Sequence, residues 1–511
     1  MFAIFTFIKD YSEAGLSTYY LTDEDGFREV SGEKIASHDG LLITHDYWMI
    51  CEGLHSQAKH LNARVVDLDE FRIFASKRPD LRKEREKVDI IQYINKFSPN
   101  QHHTTAKYKK IFYAEEKFDF KTVRDFHQLM QTYYIEICRR AFQNGEFRRF
   151  IEVEVPCTSI CAKIASRGIP IHPETISEFR ADADHQYYQK LKYVSDTFDV
   201  PLEIPTLLDI EKYAVSKGVD IDEYSLDFIV NYIPQIREYA QHVLELRELD
   251  TTRGILNGIA VRAKRVHPII DTQGSRTSRI SVRSPFLQSL AKRYRGIIAP
   301  DNDRSLCYVD FDQFEVGIMA ALSRDPALLE LYAKSDMYRA FRDEHLGGSG
   351  ERKAAKILFL AYAYGMKKRH LPLVAASFGV DRDVVKKAFS SFSVYERWKY
   401  EAVRCLDRDG FVSTSFGNRF YRKSKVATNK EKLSAISQIV QGEGSLIFKK
   451  TLLELSHIDD VEMLLPMHDA LLFQHQKPET PERVRAVFET VMTDHFSGEI
   501  KGKASIDSFV T

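Results

Sequence analysis

Two carboxylates in this chain of 511 residues are delivered to the ends of apolar runs. In LCYVDFDQFEVGIMAALS, residues 306–323, Leu306, Tyr308 and Val309 read as a buried strand ending on Asp310. Glu315 follows at the start of an apolar helix. In MLLPMHDALLF, residues 463–473, His468 and Asp469 stand at a turn between two apolar runs. A carboxylate at the tip of a hydrophobic strand costs stability unless a cation or a donor meets it. Two such aspartates on neighbouring strands would make a site for hard divalent cations. Between them, Arg352, Lys356, Leu360 and Tyr364 recur every four residues and so share one face of a helix.

Positioning these groups needs a strand–helix unit for Asp310 and Glu315, a hairpin for Asp469 and a helix for the cations. The helix is announced by GGSGERKAAKILFLAYAY, residues 347–364, with Ser349 as N-cap and Glu351 in the first turn. Upstream, residues 1–150 mix strand-like runs (Ala3–Ile8, Gly40–Thr44, Ala63–Val66) with a helical one (Val123–Phe142), which predicts an α/β unit. From Ile151, apolar residues recur at helical spacing and Gly168 closes the helix. Residues 173–260 are strongly helical, broken at Pro201, Pro205 and Pro234. A last helix is predicted to start with Thr480 as N-cap and Pro481 in its first turn, and Ser505–Val510 reads as a final strand.

Lys+Arg and Asp+Glu are equal at 73 each, so total charge selects no class of partner. Local charge does. Between Arg253 and Arg295 lie Arg262, Lys264, Arg265, Arg276, Arg279, Arg283, Lys292 and Arg293 against the single acid Asp271, a stripe suited to a polyanion. The six cysteines form no CxxC pair and Cys157 and Cys161 are four apart, so reduced thiols are expected. The opening MFAIFTFIKDY has no basic region before a short apolar run and reads as a strand; with no run of membrane-spanning length, a soluble intracellular protein is expected.

The two carboxylate stretches, in this order, resemble motifs A and C of the family A DNA polymerases, the relatives of bacterial DNA polymerase I. The resemblance covers roughly residues 151–511. It implies an α+β, right-hand polymerase with palm sheet, helical thumb and helical fingers, preceded by an α/β exonuclease-like domain. The implied boundaries are 1–150 for the exonuclease-like domain and 151–511 for the polymerase, with the thumb at about 173–262, the palm at about 263–325 and 452–511, and the fingers at about 326–451. VLELRELDTTRGIL, residues 243–256, is similar to the thumb helix that grips the duplex. TQGSRTSRISVRSPFLQSL, residues 272–290, resembles the minor-groove series, with Arg279, Ser281, Pro285 and Gln288 in place and Phe286 where Asn is usual. Arginine and glutamine can read the acceptors that every correct base pair offers there.

Residues 347–365 look like motif B. Arg352 and Lys356 would hold the nucleotide's phosphates, while Tyr364 and Gly365 close over the nascent pair. Leu360 stands where the family has Phe or Tyr, and Tyr338 where a phosphate-binding His is usual. Glu315 would crowd out a 2′-hydroxyl and, with Gln313, contribute to the nucleotide site. GFVSTSFGNR, residues 410–419, resembles a family hairpin, and Gln441-Gly442 matches a pair that opens a long template-facing helix, with Ser437 in place of Asn. Motif C reads His468-Asp469-Ala470 where His-Asp-Glu is usual.

The implied chemistry is template-directed DNA synthesis with two Mg2+ ions, or Mn2+ in their place, held by Asp310, Asp469 and the carbonyl of Phe311. Lys356 would take part in catalysis; Arg279, Ser281, Gln288, Gln441 and His468 would hold DNA. Primer–template DNA and deoxynucleoside triphosphates are the implied partners of a monomer in the cytoplasm, nucleoid-associated or in a host cell if virus-encoded, with room for a separate processivity factor. No segment resembles the family's 5′ nuclease. The first strand, FAIFTF, lacks the carboxylate of a proofreading exonuclease, and in LLITHDYWMICEGL the expected aspartate falls at Ile50. Asp46, Asp67 and Asp69 read as surface turn residues, so the expectation is a degenerate scaffold without proofreading. The competing readings are a non-catalytic DNA-binding relic, suggested by Ala470 and Leu360, and an error-tolerant polymerase able to copy RNA.

Overall fold

The computed structural model describes residues 2–9, 17–51, 53–54, 64–77, 89–221, 226, 229–230, 233–366 and 370–510; Ala63, placed above at the head of a strand, lies outside them. Phe2–Lys9 (β1) is apolar at successive positions because it is central in its sheet, with Ala3–Phe7 buried. It pairs antiparallel with Ser17–Asp23 (β2), which pairs with Gly26–Val30 (β3). On its other side β1 runs parallel to Leu41–Thr44 (β4), which runs parallel to Arg64–Asp67 (β5), giving the order β3-β2-β1-β4-β5. Helices Leu68–Phe74 (α1) and Phe120–Gln143 (α2) close this core with Phe71, Phe74, Phe126 and Met130.

Asp67 departs from the expected surface turn. It is buried at the end of β5, where its carboxylate accepts from the backbone of Tyr47 (2.8 Å) and of Asp69 (2.9 Å) and so caps α1. Burial, then the charges of Asp46 and Asp69, push it up to about 7. Asp46 is half-buried at a left-handed turn (φ 49°), and Asp69 pairs with Arg72 at 2.8 Å.

Val155–Arg167 (α3) ends at Gly168 as expected. Pro173–Phe198 (α4) and Arg237–Asn257 (α5) pack along each other, with Pro201 and Pro205 in the break after α4 and Pro234 opening the turn before α5. Short strands Ile169–Pro170 (β6), Arg265–Val266 (β7), Ile269–Asp271 (β8) and Ser281–Arg283 (β9) make two small antiparallel pairs. Several cations of the basic stripe are already paired here: Arg253 with Asp184, Arg265 with Asp301 and Arg283 with Asp271.

Ser305–Phe311 (β10) leads through a tight turn into Phe314–Ser323 (α6). Then come Met337–His345 (α7), Arg352–Ala363 (α8), the hairpin Phe411–Thr414 (β11) and Gly417–Tyr421 (β12), and Asn429–Leu455 (α9). Glu462–Met467 (β13), Ala470–His475 (β14), Thr480–His495 (α10) and Ala504–Asp507 (β15) complete the chain. β10 and the last three strands form one antiparallel sheet in the order β13-β14-β10-β15. Along β10 the side chains alternate: Cys307, Val309 and Phe311 are buried against α6, α9 and α10, while Leu306, Tyr308 and Asp310 are half-buried on the other face. Phe311 stacks on Phe314 at 4.2 Å and fixes the angle at which α6 leaves the strand.

Three starts differ from expectation. Gly347, Gly348 and Gly350 all take positive φ, so the chain enters α8 only after them, and Glu351, not Ser349, is the N-cap. Thr480 is the first residue of α10 and not its cap, because its hydroxyl is taken by Asp460 at 2.6 Å. Gln441-Gly442 lies in the middle of α9, whose opening is a capping box of Thr428 with Glu431. Gly442 is needed there for close approach: a Cβ would lie 2.7 Å from Thr414 Cγ2 of the hairpin.

A buried ion network joins the units. Glu154 receives Lys449 of α9 at 2.7 Å and Arg149 at 2.7 Å, and Arg149 also meets Glu146 at 3.2 Å. Glu146 in turn accepts from the backbone of Asn418 (2.9 Å) and Arg419 (2.8 Å) in the hairpin. All six cysteines are free, and no described helix is long and apolar enough to cross a membrane.

Candidate active site

Asp310 occupies the last turn of the pleat in β10, opposite Ala470 on β14 and Ser505 on β15. Asp469 sits in the β13–β14 turn, which His468 enters with a left-handed backbone (φ 42°). The two come together because the register brings the turn alongside the strand end, where Phe311 N–H donates to the Asp469 carbonyl at 3.3 Å. One carboxylate oxygen of Asp310, Oδ1, is buried with no hydrogen-bond partner. Burial, then repulsion from Asp469, Asp507 and Asp312, pushes Asp310 up to about 8. Asp469 is also raised, chiefly by burial, while Arg279 and Lys356 pull against it.

Around this pair the structure gathers most of the residues singled out above. Arg279 donates from Nη2 to Glu315 Oε1 at 2.8 Å. Burial, then the Glu315 charge, raises the hydroxyls of both Tyr338 and Tyr364 far above the tyrosine range. Tyr364 caps the C-terminus of α8, with its hydroxyl facing Glu315 and Gly365 following at φ 93°. A Cβ on Gly365 would meet Leu433 at 2.7 Å, so only glycine lets α8 turn here against α9. Lys356 and Arg352 lie over the Tyr338 ring at 5.8 and 5.5 Å, on the exposed face of α8. Leu360 is half-buried one turn on. His468 is exposed at the turn, where partial desolvation and then the Arg279 charge disfavour its cationic form.

Other residues are occupied differently. Gln288 spends its amide on the backbone, accepting from Val282 N–H (3.0 Å) and donating to the carbonyls of Ile280 (3.3 Å) and Pro466 (2.7 Å). Gln313 likewise holds the approach to α7, donating to Ser335 O (3.0 Å) and accepting from Met337 N–H (2.9 Å). Ser281 and Gln441 are half-buried, on β9 and on α9. Asp336 was overlooked: it caps α7 and receives Arg352 Nε at 2.6 Å, and Ser-Asp before a helical run is the signal for it. Asp312 and Asp507 also belong to the surroundings of Asp310, and only the first Asp of DFD was read.

Among the described residues no three or more His, Cys, Asp or Glu side chains converge as a metal site. Asp310 and Asp469 nevertheless fit a hard divalent ion: they are acceptor-only groups, mutually repelling, with one oxygen unmet. The strained carboxylate has a consequence for the metal-free protein. Unfolded, Asp310 loses its proton near pH 4; folded, it holds the proton to about pH 8. The folded state therefore binds more protons between these values, and stability falls as pH rises through that window. Asp310→Asn should leave stability nearly unchanged at pH 4 and raise it by at least about 1 kcal/mol at pH 8, in chelator. Thermal unfolding at both pH values measures this, and a pH-independent difference would contradict it.

A family model for DNA polymerase family A matches residues 199–508. DNA polymerase I of Bacillus caldotenax is 22% identical over 398 residues, spanning 68% of this chain and 44% of that protein. DNA polymerase I of Mycobacterium tuberculosis strain H37Rv is 24% identical over 399 residues, 70% of this chain and 43% of that protein. The chain thus matches less than half the length of these curated relatives. Among solved structures, the polymerase domain of Pol1 from M. smegmatis, in complex with primer–template DNA and dNTP, superposes with a TM-score of 0.73 at 15% identity, covering 99% of this chain and 94% of that one. The fold is that of a family A polymerase domain, and with a match over most of its length this chain belongs to DNA polymerase family A.

Proposed function

We propose that the chain adds deoxynucleotides to a primer 3′-hydroxyl on a DNA template by two-metal phosphoryl transfer. The Asp310–Asp469 pair carries this reading. The buried carboxylates of Glu154, Asp325 and Glu443 have both oxygens met by donors, whereas Asp310 keeps one oxygen unmet beside a second negative charge. Two magnesium ions, or manganese in their place, would lower the pKa of the primer hydroxyl and neutralise charge on the leaving pyrophosphate. Asp310, Asp469 and the Phe311 carbonyl would hold them.

Lys356 and Arg352 would grip the triphosphate, with Tyr338 beneath both cations. Glu315, held by Arg279, would form a wall beside the sugar with Tyr364 and exclude a 2′-hydroxyl. Arg279 would then be shared between Glu315 and the primer's minor groove, while His468 and Gln441 hold primer and template. Primer–template DNA and deoxynucleoside triphosphates, the molecules bound to the solved M. smegmatis relative, are the proposed partners of a monomer acting in the cytoplasm or nucleoid.

The N-terminal unit is proposed to lack proofreading. On β1, Thr6 bonds at 2.8 Å to His127, a ring that burial holds neutral, its pKa lowered to about 3. Release of nucleotides from a mismatched primer end, with magnesium and no deoxynucleotides, would overturn that.

Asp310→Ala and Asp469→Ala should each reduce primer extension at least about a thousandfold, roughly 4 kcal/mol of barrier, while binding primer–template within a few-fold of wild type. Near-normal extension by either would remove the site, and no extension by the wild type would favour the relic. Glu315→Ala should raise incorporation of ribonucleotides relative to deoxynucleotides about tenfold or more. An unchanged ratio would remove the gate.

A further inference from the structure

The N-terminal unit contains a second cationic cavity, outside the site described above. It has a volume of about 270 Å³ and lies between α1 and the second half of α2. Arg72, Lys77 and Arg140 line it, and among the described residues no Asp or Glu does. Arg72 is only 4% exposed. Its Nε and Nη2 both donate to Asp69 Oδ1, at 3.1 and 2.8 Å, and its guanidinium lies 4.7 Å over the ring of Tyr93. The remaining nitrogen, Nη1, is buried with no hydrogen-bond partner among the described residues. A buried, charged donor left unmet is costly, and such a group calls for an acceptor supplied from outside the chain.

The chemistry of the walls specifies the acceptor. An arginine fork matches phosphate oxygens in geometry as well as charge, and two further cations stand at the rim: Lys77, and Arg140, whose Nε donates to Glu136 at 2.7 Å. Tyr93 and Tyr133 supply flat aromatic wall beside them. The cavity is slightly smaller than pockets for drug-sized ligands, which run from about 300 Å³. A smaller neighbouring cavity shares Lys77 and is lined by Arg419 of the hairpin, by the ion-paired Glu146 and Arg149, and by Arg276, three residues before Arg279. The cations thus continue from the cavity towards the loop that carries the site's arginine, an arrangement suited to successive phosphates.

We propose that this cavity binds the phosphate of a nucleotide, either free or within a single strand of DNA. The inference stands on the N-terminal unit and does not depend on the polymerase reading.

Isothermal titration of the whole chain without divalent cations tests it, with three probes: inorganic phosphate, dAMP and a 5′-phosphorylated oligo(dT). Each is titrated into wild type, a Lys77→Gln/Arg140→Gln double variant and Arg352→Ala. Lys77 and Arg140 are well exposed, so their substitution leaves the fold intact, which circular dichroism verifies. The expected result is a saturable component weakened at least tenfold in the double variant and retained in Arg352→Ala. Its appearance with dAMP identifies a free nucleotide as the source; its appearance with oligo(dT) alone identifies a strand. Inorganic phosphate binding as tightly as either nucleotide would overturn the assignment. So would a component that the double variant leaves unchanged, or none at all.

Discussion

Two carboxylates held side by side at the edge of an apolar sheet organise this molecule. Asp310 ends a strand whose buried face packs Cys307, Val309 and Phe311 into the largest core, and Asp469 is brought beside it by the β13–β14 turn. Left alone, burial and mutual repulsion make the pair a source of instability, which is why Asp310 keeps its proton so far above the usual carboxylate range. The same arrangement gives a divalent cation more to gain there than at an ordinary surface carboxylate. Folding energy from the sheet and its helices holds a geometry that the carboxylates themselves oppose.

The cationic counterpart is arranged so that it does not cancel the pair. Arg279 goes to Glu315 and Arg352 to Asp336, while Lys356 sits over Tyr338. Arg279 and Lys356 bias Asp469 from a distance without bonding to it. The ion network of Glu146, Arg149, Glu154 and Lys449 extends this placement backwards: Arg149 reaches Ser278 at 3.3 Å, next to Arg279, and Ser445 of α9 donates to the Ser278 carbonyl. The segment after the N-terminal unit is therefore joined by buried bonds to the loop that presents the site's arginine.

What could be read from the chain without coordinates was what depends on local pattern. The apolar runs around Asp310 and Asp469, the four-residue spacing from Arg352 to Tyr364 and the Gly168 stop all have short-range causes, and the elements form where those causes act. What depends on distant partners was not readable. Gln288 is consumed by the carbonyl of Pro466, Asp67 is buried by elements on either side of it, and Thr480 loses its capping role to Asp460. The β2–β3 hairpin was missed: β3 is an edge strand with no buried residue, and β2 hides its buried Tyr19–Leu21 between polar ends of Ser, Thr and Asp. The opening of α9 was legible in Thr428-Asn-Lys-Glu431, but the later Gln-Gly pair drew the boundary too far along.

The account rests on a shared cation site, so the most direct measurement counts ions. Manganese binding is followed by electron paramagnetic resonance in the complex with a dideoxy-terminated primer–template and the next deoxynucleotide. The wild type should bind two ions per chain beyond those that the nucleic acid and nucleotide bind alone, and an Asp310→Asn/Asp469→Asn double variant should bind none of them tightly. An unchanged count and affinity in that variant would contradict the account.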